Sequence, residues 1–291
     1  MKRNCQRKRN LENLVPLPKC SMVSNTHVKI GYINARSVRN KSISIYTFIM
    51  ENEFDVLAIV ETWLNDEGDD STIQQMLPEG YMCKHIPRVN EGRAGGIAVV
   101  YKNSVQISLL DSSKSRRYKQ FEHMDCLVKS KTHKLRLITM YRPPPNKKNG
   151  LKLTRFWKNW NKLLETFSAS KCEVLLVGDL NFHLDVERKA DTKLLNSSLA
   201  EFGLTQVVDE PTHIQTHTLD VMILREQSEL IKAFSVTDPG LCNNHGKKTN
   251  DHFALIATLN LHKFEIPKKV IHFRNMKGLD IDLFREKLPI Y

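Results

Sequence analysis

The chain has 291 residues and an ordinary apolar content of 41%, enough for one large core or two modest ones. Its longest apolar stretches, such as Val174–Val177 and Gly95–Tyr101, are strand-sized, so no membrane span of ~18 residues is expected. The excess of 44 Lys and Arg over 32 Asp and Glu gives a net charge of +12, which favours a polyanionic partner.

Residues 1 to about 26 carry Lys2, Arg3, Arg7, Lys8 and Arg9, then Pro16 and Pro18, without periodicity. They read as a flexible basic tail: an import signal, a phosphate-binding arm, or a solvated segment with no role. No apolar run of the secretory type follows this start. Six scattered cysteines show no paired spacing, which fits free thiols in a reducing, nuclear or cytoplasmic compartment rather than secretion.

From His27 the pattern alternates between short apolar runs and helical spacing. Val28–Asn34 reads as a strand, Lys41–Asn52 as a helix with Ile45, Phe48 and Ile49 on one face, and Asp55–Glu61 as a second, buried strand. Ser71–Leu77 looks like a short helix closed by Pro78 and Gly80. Gly95–Tyr101, Val105–Leu110, Phe121–Lys129 and Lys134–Tyr141 read as four consecutive strands of an antiparallel meander. Leu153–Phe167 is amphipathic, Glu173–Asp179 is a hydrophobic strand, and Thr192–Phe202 is a helix ended by Gly203. Thr218–Leu224, Lys232–Val236 and His252–Leu259 complete the strands. Two sheets packed face to face with helices outside account for this order. The boundaries are a tail over 1–26, one domain over 27–262, and a linker or the start of a further region over 263–291.

Four strand tips carry hydrolytic residue types: Asn34, Glu61, Asp179 with Asn181, and Asp251-His252, with Asp220 between the last two. Phosphodiester cleavage needs a cation on the phosphate, a base for water and a donor for developing charge. A carboxylate at Glu61 suits a metal, and Asn34 offers an amide oxygen beside it. Asp179 and Asn181, two apart at a strand tip, point to one side and can hold one water; the same residues are also good turn formers. His252, held by a carboxylate, can act as a charged donor. His213 and His217 are four apart, but Pro211 argues against a zinc helix. Cys242 and His245 lack a second pair at finger spacing.

In order, Asn34, Glu61-Thr62-Trp63, Tyr141-Arg142-Pro143, Gly178-Asp179-Leu180-Asn181, Thr218-Leu219-Asp220 and Asp251-His252 resemble the motifs of the endonuclease/exonuclease/phosphatase superfamily. The nearest likeness is to the apurinic-type endonuclease domain of non-LTR (LINE-type) retrotransposons. Phe182-His183-Leu184-Asp185 and His217-Thr218-Leu219-Asp220 add to it. The resemblance covers roughly residues 28 to 260. It implies a deoxyribonuclease-like four-layer α/β/β/α sandwich of two mostly antiparallel sheets. It also implies a magnesium-dependent DNA endonuclease that nicks one strand, with manganese as a possible substitute, double-stranded DNA as partner and a reverse transcriptase downstream in an intact element. By the same resemblance Glu61 is the principal metal ligand, with Asn34 adjacent and Asp251 helping to hold the metal or the histidine. Asp179 would handle the water, supported by Asn181; His252 would contact the phosphate, oriented by Asp220; Tyr141 would donate to a phosphate oxygen. The chain departs from repair-type relatives at Arg36 (usually Asp), Pro144 (usually Asn) and Asn250 (usually Ser), which points away from damage-specific repair. Two rivals share the pattern: a phosphatase or phosphodiesterase for a small or lipid substrate, and a non-catalytic nucleic-acid-binding remnant.

Overall fold

The computed structural model describes residues 26–65, 67–87, 95–110, 118–130, 133–145 and 149–263. The basic tail over 1–25 and the expected linker from 264 onward lie outside these. Twelve strands and four helices follow in the order β1 (His27–Asn34), α1 (Ser42–Asn52), β2 (Val56–Val60), α2 (Asp70–Met76), β3 (Tyr81–Ile86), β4 (Ile97–Lys102), β5 (Gln106–Leu109), β6 (Glu122–Lys129), β7 (Lys134–Tyr141), α3 (Leu153–Ser168), β8 (Glu173–Asp179), α4 (Ala190–Glu201), β9 (Leu204–Gln206), β10 (Asp220–Arg225), β11 (Ile231–Thr237) and β12 (Ala254–His262).

The strands form two six-stranded sheets, ordered β11-β12-β1-β2-β4-β3 and β5-β6-β7-β8-β10-β9. Each sheet has one parallel pair, β1 with β2 and β7 with β8, amid antiparallel neighbours. Each parallel pair is joined by a helical crossover, α1 or α3, as parallel strands require. The two sheets therefore repeat one plan. Asn34 and Tyr141 end corresponding strands, while Glu61 and Asp179 stand at the ends of the next pair.

The expected meander is split. β4 turns back to pair with β2 and β3 in the first sheet, and only β5, β6 and β7 form a meander, in the second. An antiparallel run of four is as consistent with a change of sheet after its first strand, because the periodicity of each strand is the same either way.

Burial on both faces explains why the inner strands are apolar throughout. Val56, Ala58 and Val60 of β2 point into a middle layer with Val99, Leu137, Val177, Met222 and Leu255. Leu57 and Ile59 point the other way, toward Ile45, Phe48, Ile49 and Met76 of α1 and α2. On the second sheet, Phe156, Trp160, Leu163, Leu164 and Phe167 of α3 pack with Leu195 and Leu199 of α4 over Leu176, Val221 and Ile223. The result is helices, sheet, sheet, helices, the four-layer sandwich expected.

Candidate active site

The polar residues gather at one end of the seam between the sheets. Parallel pairing of β1 with β2 sets Asn34 beside Val60, so Glu61 emerges next to it. Parallel pairing of β7 with β8 aligns Tyr141 with Asp179. β10 runs antiparallel to β8, so its first residue, Asp220, lies opposite Asp179. β12 runs antiparallel to β1, which places Asp251 and His252, just ahead of its start, at this same end. These two residues lead into a strand rather than cap one, and the antiparallel pairing makes the two positions equivalent in space.

Asn34 is buried and its amide bridges the sheets, donating to Glu61 Oε1 at 3.1 Å and to Asp179 Oδ2 at 3.0 Å. Glu61 Oε2 accepts from the Trp63 indole at 3.3 Å, and the Tyr141 phenol is hydrogen-bonded to the same carboxylate. Burial, then the charges of Glu61 and Asp179, hold the Tyr141 phenol far above its usual range. It is a neutral donor at any working pH.

Asp179 is fully enclosed by its own turn. Asn181 N–H donates to Oδ1 at 2.8 Å and its side-chain amide donates to Oδ2 at 3.1 Å. Asn181 has φ +50°, so the two side chains meet through a left-handed turn and not through strand alternation. The turn that the residue types suggest is present, and it sets both side chains on the rim. Arg142 braces the turn: its guanidinium donates to Leu180 O at 2.8 Å and lies 4.0 Å from the Phe182 ring centre.

His252 is buried, with Nδ1 2.8 Å from Asp220 Oδ2 and Nε2 4.0 Å from Asp179 Oδ2. Asp220 Oδ1 accepts from the Tyr32 hydroxyl at 2.8 Å, a hydrogen bond that crosses from the first sheet to the second. Burial alone would lower the imidazole pKa, but the Asp220 charge and hydrogen bond, then Asp179 and Asp251, push it up to about 10. Asp179 shifts upward too, through burial and the neighbouring Asp220 charge. The Asp179 and Asp220 carboxylates are both buried side by side, and a cation would relieve them.

Asp251 Oδ2 is 2.5 Å from Arg36 Nη1 and 3.7 Å from His213 Nε2, while its Oδ1 is buried without a hydrogen-bond partner. Glu61 offers hard carboxylate oxygens on the same rim, which fits a magnesium-class ion, while the Asn34 amide oxygen accepts from the Arg36 backbone N–H at 3.1 Å. Arg36, at one of the departures from relatives, occupies the mouth with its own positive charge.

Backbone strain concentrates here. Arg36, Ser37, Glu61, Trp63 and Asn181 all have positive φ, a conformation that costs non-glycine residues about 1–3 kcal/mol each. The Lys41 ammonium, buried beneath the first of these loops, holds it by donating to Ala35 O at 2.5 Å and Arg36 O at 3.0 Å. Burial, then the Arg36 charge, lowers the Lys41 pKa to about 8.

All eight residues singled out in the sequence converge on this rim. Tyr32, His213 and Lys41 were missed. Tyr32 carried a signal, since it lies two residues before Asn34 on the same face of β1. His213 stands 5.0 Å from His252, ring centre to ring centre, whereas its neighbour His217 faces Asp185 instead. The pair is therefore not a zinc helix. Among the described residues no third ligand joins Cys242 and His245.

The profile of the Endonuclease/Exonuclease/phosphatase family matches residues 25–241. The chain belongs to that family. The match stops short of Asp251 and His252; the fold nonetheless brings His252 to Asp220. Among solved structures, the endonuclease domain of TRAS1, a telomere-specific non-LTR retrotransposon, superposes with a TM-score of 0.60 at 12% identity, over 81% of this chain and 100% of that one. The catalytic domain of Xenopus laevis APE2 does so with 0.63 at 14%, over 83% and 94%. The 3′ phosphatase NExo from Neisseria, solved with a product DNA hairpin, gives 0.57 at 15%, over 80% and 99%. No curated protein matches by sequence. At these identities the structural likenesses establish the fold, and the family establishes a nuclease or phosphatase type of hydrolase.

Proposed function

We propose that this protein is a magnesium-dependent DNA endonuclease that nicks one strand, as in target-site cleavage by a non-LTR retrotransposon. The observation that carries this reading is the unbroken array Glu61–Asn34–Asp179 across the seam, flanked by the Asp220–His252 pair. Glu61, Asn34 and Asp251 would hold magnesium, or manganese in its place, which supplies positive charge to the phosphate oxygens when bound.

Asp179, its lone pairs aimed by Asn181, takes the proton of the attacking water. As the water oxygen bonds to phosphorus, the bond to the 3′-oxygen breaks, and that oxygen takes a proton from solvent, leaving a 3′-hydroxyl and a 5′-phosphate. His252 remains protonated under Asp220 and donates to a phosphate oxygen as charge builds. The Tyr141 phenol supplies a second neutral donor.

The net charge of +12 suits a DNA backbone better than a small substrate. Support also comes from relatives described as a retrotransposon endonuclease domain and as an enzyme solved with product DNA. This reading carries with it a reverse transcriptase downstream in an intact element and a nuclear or cytoplasmic site of action. Among the described residues no helix is long and apolar enough to cross a membrane.

Supercoiled plasmid, incubated with the purified protein and magnesium, should convert to the open circle, and chelator should prevent it. Conversion of a small phosphomonoester or inositol phosphate, with the plasmid untouched, would overturn the proposal in favour of the small-substrate rival.

A further inference from the structure

Among the described residues, three groups of side chains place metal-ligating atoms within 4.8 Å of one another. Two of them contain His252 and belong to the site above. The third, His183 with Asp185 and His217, shares no residue with it.

We propose that His183, Asp185 and His217 form a second metal site, of the zinc class, that clamps the loop after β8 to the loop before β10. His217 Nδ1 lies 3.0 Å from Asp185 Oδ2, and the His183 and His217 rings stand edge to face with centres 4.1 Å apart. His183 Nδ1 is buried and has no hydrogen-bond partner, which a bound metal would supply.

Two imidazoles and one carboxylate with a fourth position open select zinc or a similar borderline ion over magnesium. Ligand bonds of about 2.0–2.2 Å in a tetrahedron place ligand atoms roughly 3.3 Å apart. Asp185 and His217, each about 30% exposed at its side chain, have room to rotate toward that spacing.

The position gives the clamp a task. The loop after β8 carries Asn181, and the loop before β10 carries His213 and ends at Asp220. They are already tied by Leu184 N–H to Thr218 O at 3.0 Å and by Thr218 N–H to Asp185 Oδ1 at 3.1 Å. A metal at this junction fixes the spacing of two catalytic arms without touching substrate.

The test uses the full chain, stripped with chelator and titrated with zinc in the presence of excess magnesium, by calorimetry and thermal melting. One equivalent should bind and raise the melting midpoint. His217→Gln and Asp185→Asn should each weaken that equivalent by at least about 100-fold, whereas His252→Gln should keep it. His183→Gln should behave like the first two; if it fails to fold, Asp185→Asn, at an exposed position, still decides. No zinc uptake by the wild type, undiminished uptake in both His217→Gln and Asp185→Asn, or loss confined to His252→Gln would each overturn the proposal. A protein in which these three residues form only an ion pair and a ring contact would give the first of these results.

Discussion

Replacing Asp220 by Asn changes one charge and almost no volume, and the structure says what should follow. The Asn oxygen can still accept from Tyr32, which now donates at 2.8 Å to Asp220 Oδ1. The amide nitrogen then faces His252 Nδ1, which must give up its proton to accept the new hydrogen bond. In the wild type the imidazole pKa rises from 6.5 to about 10 against the pull of burial. That rise corresponds to about 5 kcal/mol of preference for the charged ring, an upper bound. An opposite charge at this separation accounts for about 1–3 pH units of it. In Asp220→Asn the ring should therefore titrate much nearer neutrality, and single-turnover nicking at pH 7.5 should fall by ~10²–10³, the usual cost of one lost oxyanion donor. The same pair sets a stability trend. A histidine with a raised folded pKa contributes fully below about 6.5 and loses that contribution as pH climbs through about 10. Wild-type stability should decline over that window, and the variant should show much less of the decline. Histidine NMR titration and nicking of one labelled duplex check both parts. A ring in the variant that still titrates near 10, or a rate within threefold of wild type, would refute the electrostatic role of Asp220.

Glu61→Gln should keep the hydrogen bond from Asn34 while abolishing magnesium-dependent nicking, with magnesium affinity followed by calorimetry; unchanged affinity would remove Glu61 from the metal. Gly178→Ala should destabilise by about 3 kcal/mol or more, because the added Cβ would collide with Met140 O across the β7–β8 pair; a urea midpoint equal to wild type would contradict the packing described. Duplex binding measured from 50 to 200 mM salt should show a log–log slope near −0.9 for each phosphate neutralised; a flat response would favour a small substrate.

The sequence revealed more of the site than of its surroundings. Glu61, Asp179 and Asp220 sit at ends of apolar runs, so their placement needed only strand periodicity. What it could not show was partnership across distance: Tyr32 meets Asp220 over 188 positions, and Arg142 braces a turn after β8 from the end of β7. β3 escaped notice because Tyr81–Ile86 is half-buried and carries Lys84 and His85, as edge strands do. β9 is only three residues long. Arg36, a departure from repair-type relatives in the sequence, forms an ion pair with Asp251, so a positive charge stands there.

The hydrogen bond from Tyr32 to Asp220 joins the one from Asn34 to Asp179 in riveting the two sheets at their working end. One jaw carries Glu61 and the other carries Asp179, so the gap between them is a thickness, set by Val60, Val177, Met222 and Leu255 stacked behind the rivet. Interiors this dense do not compress. A methyl group added or removed in that layer would shift the jaws as well as cost about 0.5–1.5 kcal/mol of stability, and catalytic rate would register the change in calibre.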